Sequence, residues 1–198
     1  MKEQTELKLI FYFIIAYMAV FTFIAVLEDN YEFIYYAIIL FSLIFVIIVY
    51  YQKMHLSKSI LLGATLWGIM HMLGGCIYIF GTRLYDFYLI PHLFRYDNLV
   101  HAFGTSLVTF VIYSLVRPHL DNNIKGNFLL LSLIIVSAAM GVGAYNEISE
   151  LIAVVFLNAS KAVGDYYNNA LDLVFNLLGS IAACFFVYQY HKKRKKNH

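Results

Sequence analysis

The chain has 198 residues, of which 62% are hydrophobic and only 13% are charged, and its formal net charge at pH 7 is +2. A soluble domain carries roughly 25% charged residues and about half apolar ones, so this composition excludes a soluble globular protein. Runs of about 20 apolar residues account for the bias, and that length crosses the hydrocarbon core of a bilayer. We expect an all-α fold, a polytopic membrane helical bundle that forms a single transmembrane domain over residues 1–198.

Hydropathy predicts about six membrane-spanning helices. In chain order they cover residues 7–27, 33–51, 59–80, 97–116, 128–157 and 170–190. The longest connection, residues 81–96, is rich in aromatic side chains and is expected to lie in the membrane interface. Pro118 ends the fourth helix because proline cannot extend a helix and restricts the residue before it. The basic stretch HKKRKKNH, residues 191–198, follows the sixth helix as a tail.

The positions of Lys and Arg indicate how these helices are oriented. An even number of crossings places both termini on one side, together with every basic residue except Arg83, Arg95 and Lys161. Cytoplasmic loops carry the excess of positive charge, so we expect a multi-pass protein of the cell membrane with cytoplasmic N and C termini. The basic tail is then expected to contact anionic lipid headgroups.

Several polar side chains lie inside or at the edges of the predicted helices, where hydropathy does not explain them. They are His71, Asp97, His101, Glu147, Glu150, Asp172 and Asn176. With the orientation above, all of them fall in the outer half of the membrane. Residues three or four positions apart share a helix face, so three helices each present a two-residue polar face at a similar depth. The pairs are Asp97 with His101, Glu147 with Glu150, and Asp172 with Asn176.

The free energy of burying charge in lipid argues that these faces meet. An ionised carboxylate at the centre of a membrane helix costs about 2.5–3.5 kcal/mol even on the mild insertion scale. Four carboxylates that faced lipid separately would add these costs. We therefore expect the four acids to gather around a shared cavity, a cation or shared protons.

Three sequence blocks carry a resemblance to known families. They are YDNLVH (residues 96–101), YNEISE (145–150) and GDYYNNALDLVFNLLG (164–179). Together they resemble the YjdF-type family of bacterial and archaeal inner-membrane proteins of unknown function. The spacing of Asp172, Asn176 and Gly179 is more distantly similar to VanZ-like proteins. The resemblance implies a membrane fold and a polar site, but it implies no particular reaction.

Carboxylates, an amide and one histidine form a hard, oxygen-rich ligand set. Such sets suit Mg²⁺, Ca²⁺ or Mn²⁺, and with histidine also Zn²⁺ or Fe²⁺. The predicted metal ligands are Asp97, His101, Glu147, Glu150 and Asp172, and all of these except Asp97 are also candidate catalytic residues. The predicted substrate-binding or supporting residues are His71, Asp165 and Asn176, with Asp165 expected to cap the site from the loop above.

Three functions remain open from the sequence. The first is a metal-dependent hydrolase or transferase acting on lipid or polyprenyl-phosphate headgroups. The second is a small proton- or cation-coupled transporter. Polar residues are sparse in the cytoplasmic halves of the helices, which argues against a polar path across the membrane. The third is a structural or partner-binding membrane protein, in which Asp97 caps its helix and the other groups share hydrogen bonds. Membrane lipids are the expected partners, nucleic acid is not expected, and a homo-oligomer stays open.

Overall fold

A computed structural model describes residues 2–51, 53–54, 56–159 and 163–196. It is 83% helical, and six of its helices are long and apolar enough to cross a membrane. This confirms the predicted all-α membrane bundle. Lys161 and the last two residues of the basic tail lie outside the described residues, and so do the side chains of the whole tail. The orientation of the termini stays a prediction.

Seven α-helices follow one another along the described chain. They are α1 (Lys2–Leu27), α2 (Tyr31–Tyr50), α3 (Lys58–Cys76), α4 (Tyr96–Val116), α5 (Asn122–Gly126), α6 (Phe128–Leu157) and α7 (Tyr166–Lys196). The short α5 lies in the connection between the fourth and fifth spans. The backbone of α7 continues through residues 191–196, so the basic stretch extends the last helix.

Two helix boundaries differ from the predicted ones for local reasons. The third span was expected to reach residue 80, but α3 ends at Cys76 because Ile77 takes an extended conformation. The last span was expected to begin at residue 170, but α7 begins at Tyr166. There the side chain of Asp165 accepts a hydrogen bond from the backbone N–H of Asn168 at 3.0 Å, and such a cap stabilises an earlier start.

The connection between α3 and α4 contains two short hairpins that hydropathy did not predict. Strand β1 (Tyr78–Ile79) pairs antiparallel with β2 (Thr82–Arg83), and β3 (Tyr88–Ile90) pairs antiparallel with β4 (Phe94–Arg95). The first turn uses Gly81 at φ 78°, a conformation that glycine adopts without steric cost. Between the hairpins, a 3₁₀ turn over Leu84–Asp86 buries Tyr85 against α3.

Helices α4 and α7 approach each other closely at Gly179. A Cβ atom there would overlap the carbonyl oxygen of Ala102 and lie 2.9 Å from its Cα. The hydroxyl of Ser106 donates to the carbonyl oxygen of Gly179 at 2.9 Å, which adds a polar contact across the same crossing. Small residues permit this kind of backbone approach between membrane helices. Helix α6 packs on the same pair through Gly143, which faces Asn176.

The α4–α7 crossing can be tested with a pair of glycine variants. Gly179→Ala should lower the free energy of unfolding by about 1–3 kcal/mol, because the added methyl group overpacks the contact with Ala102. Gly141→Ala is the matched control, since a Cβ there meets nothing within 4 Å and alanine is the better helix former. Thermal unfolding in detergent measures both, and equal midpoints would contradict the proposed close packing.

Candidate functional site

His101 is the centre of a polar cluster inside the bundle. It lies in the second turn of α4, and its side chain is only 9% exposed. Both ring nitrogens face acids: Nδ1 lies 3.7 Å from Glu147 Oε1, while Nε2 lies 3.4 Å from Asp97 Oδ1. The imidazole therefore joins acids that come from two different helices.

Two further carboxylates complete the cluster, which we call the acid–histidine cluster: Asp97, His101, Glu147, Glu150 and Asp172. Nε2 of His101 lies 3.9 Å from Asp172 Oδ1 and 4.0 Å from Glu150 Oε1. Helix α4 supplies two members, α6 two and α7 one. The structure thus brings together all five residues that the sequence singled out as metal ligands, while their binding of a metal stays a prediction.

Asp172 is the most deeply buried of the four acids, with no exposed surface. Its Oδ1 accepts a hydrogen bond from Asn98 Nδ2 at 3.2 Å. Its Oδ2 accepts one from Asn168 Nδ2 at 3.0 Å. Two amide donors therefore hold this carboxylate in one orientation, and hydrogen bonds to a charged group are among the stronger ones in proteins.

Asn168 connects the cluster to an arginine at its mouth. Its Oδ1 accepts a hydrogen bond from Arg95 Nη1 at 2.8 Å, which directs its Nδ2 toward Asp172 and, at 3.5 Å, toward Asp97. Hydropathy and spacing did not single out Asn98, Asn168 or Arg95 as site residues. The signal that would have found Asn168 is its place one turn before Asp172, in a row of polar residues on α7.

Glu147 and Glu150 have different surroundings on α6. Glu150 Oε1 accepts a hydrogen bond from Asn146 Nδ2 at 2.8 Å. Both carboxylate oxygens of Glu147 are buried, and among the described residues neither has a hydrogen-bond partner. Buried polar atoms without partners are costly and uncommon. Apart from the contact of Oε1 with His101 Nδ1 at 3.7 Å, Glu147 therefore offers acceptor atoms that a cation or a hydrogen-bond donor would satisfy.

Asn176 lies one helical turn deeper than Asp172 on the same face of α7. It is buried, and its Oδ1 accepts a hydrogen bond from Thr105 Oγ1 at 3.3 Å. Its Nδ2 has no partner among the described residues and is directed at α6, where a Cβ on Gly143 would lie 2.9 Å away. The Nδ2 of Asn176 therefore extends the polar part of the bundle interior one helical turn beyond the four acids.

Two predicted supporting residues, His71 and Asp165, have their hydrogen-bond partners outside the acid–histidine cluster. Nδ1 of His71 lies 2.5 Å from the hydroxyl of Tyr85, and the imidazole packs against the rings of Phe33 and Trp67. Burial raises the pKa of Tyr85 well above its ordinary value, so the phenol stays protonated and shares a hydrogen bond with His71. Asp165 is exposed and caps α7, so it supports Asn168 from outside the cluster, and its role as a cap over the site stays a prediction.

The donor atoms of the cluster fit a cation. Two groups of three, Asp97–His101–Asp172 and His101–Glu147–Glu150, each offer ligand atoms that all lie within 4.8 Å of one another. Metal–oxygen bonds of about 2.0–2.6 Å place ligands on opposite sides of a Mg²⁺ or Ca²⁺ ion roughly 4–5 Å apart. Because the two groups share His101, a small shift of these side chains would close either group around one ion.

The chain belongs to the family described as "Predicted membrane protein (DUF2238)", whose model matches residues 8–193. The match is consistent with the resemblance to YjdF-type membrane proteins. The more distant resemblance to VanZ-like proteins is not supported by this match and stays a prediction. No curated protein and no solved structure matches the chain.

The role of Asn168 in holding the acids can be tested against its neighbour. Asn168→Ala should lower the free energy of unfolding by about 1.5–3 kcal/mol, because a buried carboxylate loses a donor and Arg95 loses its acceptor. Asn169→Ala is the matched control, since the hydrogen bonds to the cluster acids among the described residues come from Asn98, Asn146 and Asn168. Thermal unfolding of the two variants in the same detergent gives the comparison, and an unchanged midpoint for Asn168→Ala would contradict this role.

Proposed function

Starting from this family of membrane proteins, we propose that the chain is a divalent-cation-dependent hydrolase or transferase that acts on lipid or polyprenyl-phosphate headgroups. The observation that carries the proposal is Glu147, whose two buried oxygens have no hydrogen-bond partner among the described residues, although it borders His101 and Glu150. A cation at this place would satisfy these oxygens.

The negative charge of the cluster favours a bound cation, because His101 alone cannot neutralise four carboxylates. Four carboxylates surround one imidazole, which offers a single positive charge at most. Unpaired carboxylates are expensive in a low-dielectric interior. A divalent ion would add two positive charges at the point where the acids converge. Carboxylate oxygens suit Mg²⁺, Ca²⁺ or Mn²⁺, and the imidazole extends the choice to Zn²⁺ or Fe²⁺.

The cluster also has the groups that phosphate chemistry needs. A bound cation polarises a phosphate oxygen and makes a neighbouring water more acidic. In a hydrolysis, Glu147 or Glu150 would take a proton from water as its oxygen bonds to phosphorus. The bond from phosphorus to the leaving oxygen then breaks, and that oxygen takes a proton from the same glutamate, or from His101 if the imidazole is a proton carrier and not a cation ligand. In a transferase, an acceptor alcohol takes the place of water.

The depth of the cluster suits a lipid headgroup. Asp97 is the second residue of α4, and His101 lies roughly 6 Å further along the helix at about 1.5 Å per residue. The cluster thus opens near the end of the bundle that carries the α3–α4 connection. With the predicted cytoplasmic termini, this end faces the outer leaflet, so the substrate would be an outer-leaflet headgroup.

Transport is the second candidate, and one observation favours it. From the cluster, buried polar side chains continue inward along α4 and α7: Thr105, Thr109, Asn176 and Ser180. Thr109 lies roughly 18 Å along the helix from Asp97 at about 1.5 Å per residue. Beyond this row, an apolar group that includes Leu131 and Val187 fills the core. Because this apolar group interrupts the row of polar side chains before it crosses the membrane, we favour the enzyme.

The metal site predicts a defined loss in one variant. Protein purified in detergent should retain a divalent metal, and Glu147→Gln should retain at least tenfold less, because a charged ligand is lost. Glu28→Gln removes an exposed acid at the same end of the bundle and should retain as much metal as the native protein. Elemental analysis measures all three, and a native protein without metal would contradict the proposal and leave a structural or partner-binding role.

Enzyme and transporter can be separated in reconstituted vesicles. For the enzyme, lipid extracts of cells with and without the protein should differ in headgroup composition, and vesicles should show no substrate-dependent proton flux. For the transporter, the lipids should be identical, a pH-sensitive dye inside the vesicles should report flux, and Thr109→Val should reduce it. That substitution removes one buried hydroxyl at nearly constant volume and lies far from the acids.

A further inference from the structure

Arg95 lies at the mouth of the acid–histidine cluster, directly before α4. Its Nη1 donates to Asn168 Oδ1 at 2.8 Å, and its Nη2 donates to the hydroxyl of Tyr88 at 3.0 Å. Both partners are neutral, and within the part of the chain that the structure describes no carboxylate forms a salt bridge with Arg95. Arg83, the other arginine of the α3–α4 connection, instead pairs with Glu32 and Asp86. Arg95 therefore carries a positive charge that no acid neutralises through a direct ion pair.

The guanidinium of Arg95 keeps free donors in a fixed orientation. A guanidinium has five N–H donors in a planar fork, and the two hydrogen bonds to described residues use two of them. The group lies 5.0 Å from the ring centroid of Tyr88, and the backbones of these two residues pair across the β3–β4 hairpin. A fork that is already oriented loses little freedom when it binds a planar or tetrahedral oxyanion.

We propose that Arg95 forms a binding site for the phosphate group of an anionic membrane lipid, at the mouth of the acid–histidine cluster. This inference rests on the proposed function, because it gives that site its substrate anchor. The geometry supports the link: Asn168 touches Arg95 on one side and Asp172, at 3.0 Å, on the other. A phosphate on Arg95 would thus lie one amide group away from the acids.

The surroundings of Arg95 favour a lipid over free phosphate. The β3–β4 hairpin exposes Leu89, Ile90 and Leu93, and Leu93 is 67% exposed. These apolar side chains belong to the same hairpin as Arg95, at the end of a membrane-spanning helix. A lipid whose phosphate is bound by Arg95 would place its acyl chains beside these apolar side chains. Inorganic phosphate has no acyl chains and would not contact this surface.

The test is lipid retention. The native protein is extracted from vesicles of phosphatidylcholine with one-tenth phosphatidic acid, and the retained lipids are counted by native mass spectrometry. The native protein should retain phosphatidic acid in preference, and Arg95→Gln should reduce that preference about tenfold. Arg95→Lys should give an intermediate value, because it keeps the charge and loses the fork. Arg117→Gln makes the same charge change at the opposite end of the bundle and should match the native protein.

Other results of this experiment would each overturn one part of the proposal. Equal retention by Arg95→Gln and the native protein would overturn the site, and Arg95→Lys decides the same point if the glutamine variant does not fold. Binding of inorganic phosphate as tight as that of dihexanoyl phosphatidic acid would overturn the choice of a lipid. The metal content separates this inference from the proposed function: Arg95→Gln should keep its metal, and a native protein without metal but with Arg95-dependent lipid retention would overturn only the cation chemistry.

Discussion

The free energy of an ionised carboxylate in a low-dielectric environment is the constraint on which this structure depends. Four acids that would each be costly among acyl chains instead converge on His101 from three helices. That convergence requires α4, α6 and α7 to lie unusually close together. Gly179 against Ala102 and Gly143 against Asn176 provide this closeness. The packing of the bundle and the assembly of the cluster are thus coupled.

The amides around the cluster show that the acids are oriented as well as buried. Asn98 and Asn168 each donate to a different oxygen of Asp172, and Arg95 fixes the Asn168 amide from outside. If the acids only shared protons, each could pair with its nearest neighbour. The cluster would then not need amide donors on one acid and none on another. Here Asp172 accepts two amide hydrogen bonds, while Glu147 accepts no hydrogen bond among the described residues. This division into held and free carboxylates is what a site for a cation and a phosphate requires.

The sequence predicted the parts of this site that follow from local periodicity. Runs of apolar residues defined the six spans, and spacings of three or four placed Asp97 with His101 and Glu147 with Glu150 on shared helix faces. The contacts that periodicity cannot show join residues far apart in the chain, as Arg95 and Asn168 do, and depend on how the helices cross. The pairing of His71 with Tyr85 depends on a short irregular connection in which no pattern repeats.

The measurement that tests the account most directly is the coordination of Mn²⁺ in the purified protein. After the resident metal is removed and Mn²⁺ is added, pulsed electron paramagnetic resonance should show a bound ion with one ¹⁴N coupling from an imidazole. That coupling should vanish in His101→Gln and remain in the matched variant His71→Gln, since His71 is bonded to Tyr85. A bound ion without nitrogen coupling, or a coupling that survives His101→Gln, would contradict a cation held where the four acids meet.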